Sequence, residues 1–276
     1  VRDVLRTDDH FRSAAVDWTV TQKQTREKIF PLFDEYEMII MQGFIGATDE
    51  NESTTLGREG SDYSAAVFGN LFDAGEVVIW KDVAGIMNSD PAVFPGAVVL
   101  HELSYDEVIE MAYYGALVIH PKTIKPLENK NIPLLVKCFT DPALPGTVIH
   151  RKTVKDLPPV IIIKDSQALL YLHSRDFSFI GESAVSHLYR LMAENNITLN
   201  LIQTGAVTLM VCTDDKEDKV SRLAVAVSEI FDVQVERQLS LLTVRHYTEK
   251  AVAALTEGKT VVLKQQSPQT VQLLLR

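Results

Sequence analysis

The stretch Gly57-Arg58-Glu59-Gly60-Ser61-Asp62-Tyr63-Ser64-Ala65 holds the residue types needed to grip an anion. Its two glycines let the backbone bend and come close to a ligand. Ser61 or Asp62 then stands where it can cap a helix running through Tyr63-Ser64-Ala65-Ala66-Val67-Phe68. A glycine-rich turn feeding a helix N-terminus gathers backbone N–H groups that suit phosphate or carboxylate. Arg58 adds a planar fork that takes a carboxylate through two hydrogen bonds. An ordinary loop with a helix cap satisfies the same pattern, and spacing alone leaves both readings open.

Other chemistry is less well supplied. His10, His101, His150, His187 and His246 have no ligand-like spacing with cysteines or carboxylates, so no metal site is expected. His120 precedes Pro121 at a helix start and reads as a cap or core histidine rather than a catalyst. Cys138 and Cys212 lie in apolar runs that read as strands, which predicts buried free thiols in a reducing, cytoplasmic setting. The formal net charge of −10 argues against nucleic acid or an anionic membrane as the main partner. It leaves room for an anionic substrate, because a local cation outweighs a distant average field. No apolar run reaches membrane-spanning length, and the first residues do not form a secretory signal.

The elements that must position these groups follow from periodicity. At 276 residues, two domains are the natural expectation. Residues 20–30 read as a helix ending at Pro31, and 36–42, with Met38-Ile39-Ile40-Met41, as a buried strand. Residues 48–55 have the composition of a surface loop or lid. A helix to about Asp73 closes at Ala74-Gly75, and a buried strand follows over 76–80. Residues 81–100 form an irregular connection, and Ser104-Tyr105-Asp106-Glu107 is a capping box that opens a helix. A helix over 121–130 and a strand over 133–139 complete an alternation that predicts a mainly parallel, three-layer α/β sheet. The charged segment 152–159, ending Pro158-Pro159, is the best linker. Beyond it, strands at 160–163, 168–172, 197–202, 207–212 and 231–236 alternate with helical faces around 184–192 and 220–230. This βαββαβ order predicts a ferredoxin-like unit. A strand from 239, a helix over 248–256 and strands at 260–265 and 270–275 give part of a second unit.

Several separate motifs, in order, resemble the aspartate kinase family. They are Gly43-Phe44-Ile45-Gly46, the glycine-rich stretch at 57–65, Ile79-Trp80-Lys81-Asp82-Val83-Ala84-Gly85-Ile86, Asp90-Pro91, and Gly115-Ala116-Leu117-Val118-Ile119-His120-Pro121-Lys122-Thr123. The tail resembles paired ACT regulatory modules. The resemblance implies an α/β fold: the C-terminal part of an amino-acid-kinase domain at 1–151, a linker at 152–159, and a regulatory region at 160–276. Within that region an inserted module would span about 166–238, and a second module would combine 160–165 with 239–276. The family's Lys-Phe-Gly-Gly segment, whose lysine contacts ATP phosphates, is not found, which implies a chain inactive by itself.

By the same resemblance the reaction is transfer of the ATP γ-phosphoryl group, with Mg²⁺, to the side-chain carboxylate of L-aspartate. Arg58 would clamp a substrate carboxylate, Phe44 and Ser61 would line the amino-acid pocket, and Asp62 would orient the reacting groups, holding a lysine of the absent segment. Lys81, Asp82, Met87, Asn88, Ser89, Asp90, Pro91 and Ala92 would form the nucleotide loop. Here Lys81 replaces the family's usual threonine, Met87 an aromatic, Ala92 an arginine and Leu117 a frequent lysine. His173, Ser174, Asp176, Asn200, Thr204 and Val207 would hold an amino-acid effector, lysine or threonine. Asn200, where lysine-sensitive relatives often carry aspartate, weakens the case for lysine. The implied assembly is a homodimer through the ACT modules. The alternative is a non-catalytic, amino-acid-sensing and dimerising fragment or subunit.

Overall fold

The computed structural model describes residues 1–116, 119–176 and 178–276; Leu117 and Val118, named in the motifs above, lie outside the described residues. The chain divides into two compact units, Val1–Leu157 and Pro158–Arg276.

In the first unit α1 (Trp18–Lys28) starts where the Asp17 side chain accepts a bond from Val20 N–H. A 3₁₀ turn (Phe30–Asp34) with proline in its first turn follows. Strands β1 (Ile45–Ala47) and β2 (Ser53–Thr55) form an antiparallel hairpin. Part of the expected lid is therefore a strand, and its turn is closed by Glu52 N–H donating to the Thr48 hydroxyl. Helix α2 (Gly60–Leu71) leads into β3 (Val77–Lys81). The left-handed residue that ends α2 is Asp73 (φ 50°), not the expected glycine. Strand β4 (Glu102–Ser104) runs into α3 (Tyr105–Tyr114), whose cap Ser104 accepts from Glu107 N–H as the capping box predicts. Helix α4 (Pro121–Glu128), β5 (Leu134–Cys138) and β6 (Thr147–His150) complete the unit.

The main sheet has the order β3-β5-β6-β4. Pairs β3/β5 and β4/β6 are parallel, but β5/β6 is antiparallel. The connection from β5 to β6 is too short for a crossover, which antiparallel pairing does not need. Gly146 (φ 73°) makes that return possible, since a Cβ there would lie 2.3 Å from the Val136 carbonyl oxygen.

The segment 36–42 is not a strand. Its backbone between 37 and 42 forms no hydrogen bond with other described residues. Ile39 and Met41 pack on the small core of Leu5, Leu56, Val67 and Phe68, while Met38 and Ile40 are 76% and 91% exposed. The alternation is that of a one-sided extended segment lacking a ladder neighbour, which an apolar run alone cannot distinguish from a buried strand.

In the second unit β7 (Val160–Ser174) is continuous where the sequence suggested two strands, with a left-handed kink at Ser166 (φ 53°). It is followed by α5 (Glu182–Glu194), β8 (Leu199–Thr204), β9 (Thr208–Asp214), α6 (Glu217–Val227) and β10 (Phe231–Arg245). Helix α7 (Glu249–Thr256) and strands β11 (Val261–Gln266) and β12 (Thr270–Leu275) end the chain. One six-stranded sheet, β11-β12-β10-β7-β9-β8, spans the unit. The first half of β10 pairs with 169–174 and its second half with 160–164. Helices α5 and α6 bury Leu188, Met192, Val220, Leu223 and Val227 against Leu170, Leu172, Leu209 and Val211. Val252 of α7 joins Leu242, Val244, Val271 and Leu273. No helix of the described residues is long and apolar enough to cross a membrane.

Candidate active site

The loop entering α2 is wrapped around Phe44. Leu56 N–H donates to the Phe44 carbonyl at 2.9 Å. Phe44 N–H donates to Ser64 Oγ at 2.8 Å, and that hydroxyl donates onward to the Gly60 carbonyl at 2.8 Å. Phe44 itself is left-handed (φ 72°), a conformation costly for an aromatic residue and held by these bonds. Its ring lies under Gly60, where a Cβ would come within 2.6 Å of Cδ2. Gly43 faces Ser61 in the same way, its hypothetical Cβ 3.2 Å from Ser61 Cα. Phe44, Ser61 and the loop bearing Arg58 are thus brought together.

One expectation about this loop is corrected. Neither Ser61 nor Asp62 caps α2; the N-cap is Glu59 in the left-handed region (φ 51°), with no side-chain cap bond. The Glu59 carboxylate reaches elsewhere and accepts the His120 N–H at 2.7 Å. Arg58 is exposed and makes no ion pair or hydrogen bond with another described residue.

Asp62 lies in the first turn of α2, and its Oδ2 is 3.1 Å from Lys81 Nζ. The two side chains are only 16% and 22% exposed. This contact follows from topology. Helix α2 turns back through 72–76 into β3, so the start of the helix lies beside the end of the strand. The partner expected for Asp62 was a lysine of another segment; the structure supplies Lys81 of the expected nucleotide loop.

That loop is more ordered than its composition suggested. Residues 86–88 and 98–100 form a short antiparallel ribbon, with Asn88 N–H donating to Val98 O, Leu100 N–H to Ile86 O and a bridge between Met87 and Val99. The Asn88 side chain accepts from Val98 N–H at 2.8 Å, and the Asp90 carboxylate accepts from Ala92 N–H at 2.8 Å. Ser89 is buried, whereas Asp82, Pro91 and Ala92 are exposed. Asn88 and Asp90 therefore shape the loop itself.

In the second unit the expected effector residues separate into two groups. Ser174 N–H donates to Val207 O at 2.9 Å, and His173 Nδ1 is 3.2 Å from the Thr208 hydroxyl. Asp176 accepts from Ser174 Oγ, Ser178 Oγ and Ser178 N–H, which pull its carboxyl down to about 2. Ser174 and Asp176 line a hollow of about 330 Å³ with Ile180, Ala184 and Phe231. Thr204 lines an adjoining surface hollow with Ile180, Val185 and Tyr189. Asn200 is at the other end of β8, four residues from Thr204, or roughly 13 Å along a strand. There it sits at a register shift and bonds Lys164 Nζ, Gln167 Oε1 and Asp214 Oδ1 at 3.0, 2.7 and 2.8 Å. Burial raises the Asp214 carboxyl, but bonds from Asn200 and Gln167 and the Lys164 charge lower it more. Asn200 is thus committed to an internal network.

Residues 2–138 match the amino acid kinase family. Over 252 residues the chain is 33% identical to lysine-sensitive aspartokinase 3 of Escherichia coli, a match covering 88% of this chain and 55% of that protein. The chain is homologous to aspartokinases over most of its length. It is 46% identical over 153 residues to a chloroplastic bifunctional aspartokinase/homoserine dehydrogenase of Daucus carota, covering 55% of this chain and 16% of that protein. The solved structure of E. coli aspartokinase III in complex with aspartate and ADP superposes with a TM-score of 0.80 at 30% identity, over 100% of this chain and 65% of that one. The chain thus spans about half the length of that E. coli aspartokinase.

Residues that position this loop escaped the sequence reading. Lys122 Nζ donates to the Leu56 carbonyl and lies 5.2 Å from the Tyr63 ring centroid, and burial lowers its pKa. Together with the Glu59–His120 bond it ties the start of α4 to the start of α2. His120 also caps α4 by accepting Lys122 N–H at 3.2 Å, as expected. The motif Gly115–Thr123 carried the signal, but only the fold shows that it braces residues 56–60. Cys138 and Cys212 are both free and buried.

Proposed function

We propose that the protein serves phosphoryl transfer from ATP to the side-chain carboxylate of L-aspartate, giving 4-phospho-L-aspartate, the first step toward lysine, threonine and methionine. The observation that carries this reading is the loop locked onto Phe44, which holds Ser61 at the start of α2 and leaves Arg58 exposed and unbonded among the described residues. A carboxylate nucleophile is already ionised at neutral pH, so no general base is required. The work left to the protein is to hold two anions together and to neutralise charge on the transferring group. Arg58 takes a carboxylate of aspartate, Phe44 and Ser61 border the substrate, and Asp62 orients the cationic side of the site. Residues 82–92 receive the nucleotide. The Mg²⁺ that accompanies ATP would be held mostly by the phosphates and water, as that ion prefers.

The second unit would hold an amino-acid effector at Ser174, Asp176 and Val207 and shift the balance between two states. Strands β8 and β11 are the edges of its sheet, and pairing of such edges between copies would give a homodimer. A second reading, an amino-acid-sensing and dimerising module without turnover, is supported by the hollow that Ser174 and Asp176 line in the second unit. Calorimetry of the chain with MgATP, L-aspartate and L-glutamate separates the readings. Binding of MgATP, and of L-aspartate in preference to L-glutamate, is the expected result. Binding of an amino acid without any binding of MgATP selects the sensing module.

A further inference from the structure

We propose that Lys81, held in place by Asp62, is the cation that meets the terminal phosphates of the nucleotide. The assignment rests on the kinase reading above and names a residue within it. Lys81 is the last residue of β3, in register with Cys138, the last residue of the parallel strand β5. In open α/β sheets ligands bind outside the carboxyl ends of such strands. The loop that follows, residues 82–100, carries Asp82 and Asp90 and neither lysine nor arginine. A polyphosphate approaching that loop would meet carboxylates and one flanking cation. The neighbouring Lys137 is drawn aside, its Nζ 5.7 Å from the Trp80 ring centroid.

The geometry suits a phosphate contact. An ammonium has three donors. Lys81 is paired with Asp62 Oδ2 alone among the described residues, which leaves donors for a ligand. With the pair 16% and 22% exposed, the long lysine chain is partly packed and its head is fixed by the carboxylate rather than roaming in solvent. The start of α2 and the end of β3 converge on the same point because the chain reverses between them. Asp62 is then a positioning residue, and Lys81 is a group that touches the nucleotide.

The test is calorimetric titration of the 276-residue chain with MgATP, MgADP and AMP. Lys81→Met should weaken MgATP at least tenfold, MgADP less, and AMP hardly at all. Lys81→Arg should keep most of the affinity for MgATP, and Asp62→Asn should fall between. Equal weakening of all three nucleotides by Lys81→Met, or no weakening, overturns the assignment, because a merely structural lysine cannot sense phosphate number. A wild-type chain that binds none of the three overturns the kinase reading of residues 81–92 and the assignment with it. A second measurement needs no variant. MgATP should shield Lys81 from acylation by an amine-reactive ester, read by mass spectrometry, where AMP does not, and acylation unaffected by MgATP contradicts the proposal.

Discussion

Gly60→Ala adds one methyl group at the first position of α2, where it meets Phe44 Cδ2 at 2.6 Å and Leu56 Cβ at 3.0 Å. The backbone there is helical, so the substitution brings no positive-φ strain and gains up to about 1 kcal/mol in helix propensity. The cost lies in the neighbours. Leu56 is fully buried and cannot retreat, whereas Phe44 is 42% exposed and can swing outward. Exposing about 100 Å² of ring at about 25 cal/mol per Å² costs roughly 2.5 kcal/mol. The net loss is about 1.5–2.5 kcal/mol, within the usual range for overpacking, or about 3–10 °C in Tm for a unit of this size. Trp18 and Trp80, the two tryptophans of the chain, both lie in the first unit, so tryptophan fluorescence follows that unit's melting selectively. In a Phe44→Ala background the ring is gone and the same substitution should cost about 1 kcal/mol less. An equal cost in both backgrounds, or no loss in either, would refute the packing of Phe44 beneath Gly60.

Gly146→Ala should lower the same fluorescence-detected Tm more steeply, by about 3 kcal/mol or more, since a Cβ would add a left-handed conformation to a 2.3 Å clash with the Val136 carbonyl. Asn200→Ala removes three bonds from the Lys164–Gln167–Asp214 network and should cost about 1–3 kcal/mol in urea denaturation followed by circular dichroism. Asp176 has a folded pKa of about 2, below its ordinary 3.8, so its contribution to stability is present above about pH 4 and is lost as pH falls toward 2. An NMR titration should place its midpoint near 2, and Ser178→Ala should move it upward. Cys212 is fully buried with its thiol pushed up to about 12 by that burial, so a thiol reagent should label it only after unfolding.

The motifs located the site better than they described it. Period and caps placed α2, α3, α4, β3 and β5 within one or two residues, because each has local chemistry that announces it, such as the Ser104 capping box. Residues 36–42 misled because an apolar run reports residue type and not whether a neighbouring strand exists to cover Met38 and Ile40. The left-handed Glu59 that caps α2 was illegible because its side chain is recruited by His120, sixty-one residues away. The Asp62–Lys81 pair was legible only in halves: both residues stood out, but the reversal through 72–76 joins them. Asn200 matched a position in a motif, yet its bonds depend on a register shift between β8 and β9 that no linear pattern records.

The central claim, that Arg58 in the loop locked onto Phe44 receives the acidic group of an amino acid, is tested most directly by calorimetry with L-aspartate in the presence of MgADP. Arg58→Ala should weaken L-aspartate at least tenfold while leaving the tryptophan-detected Tm within about 1 °C, because the side chain is exposed and unbonded among the described residues. Undiminished binding of L-aspartate by the Arg58→Ala chain would contradict the account.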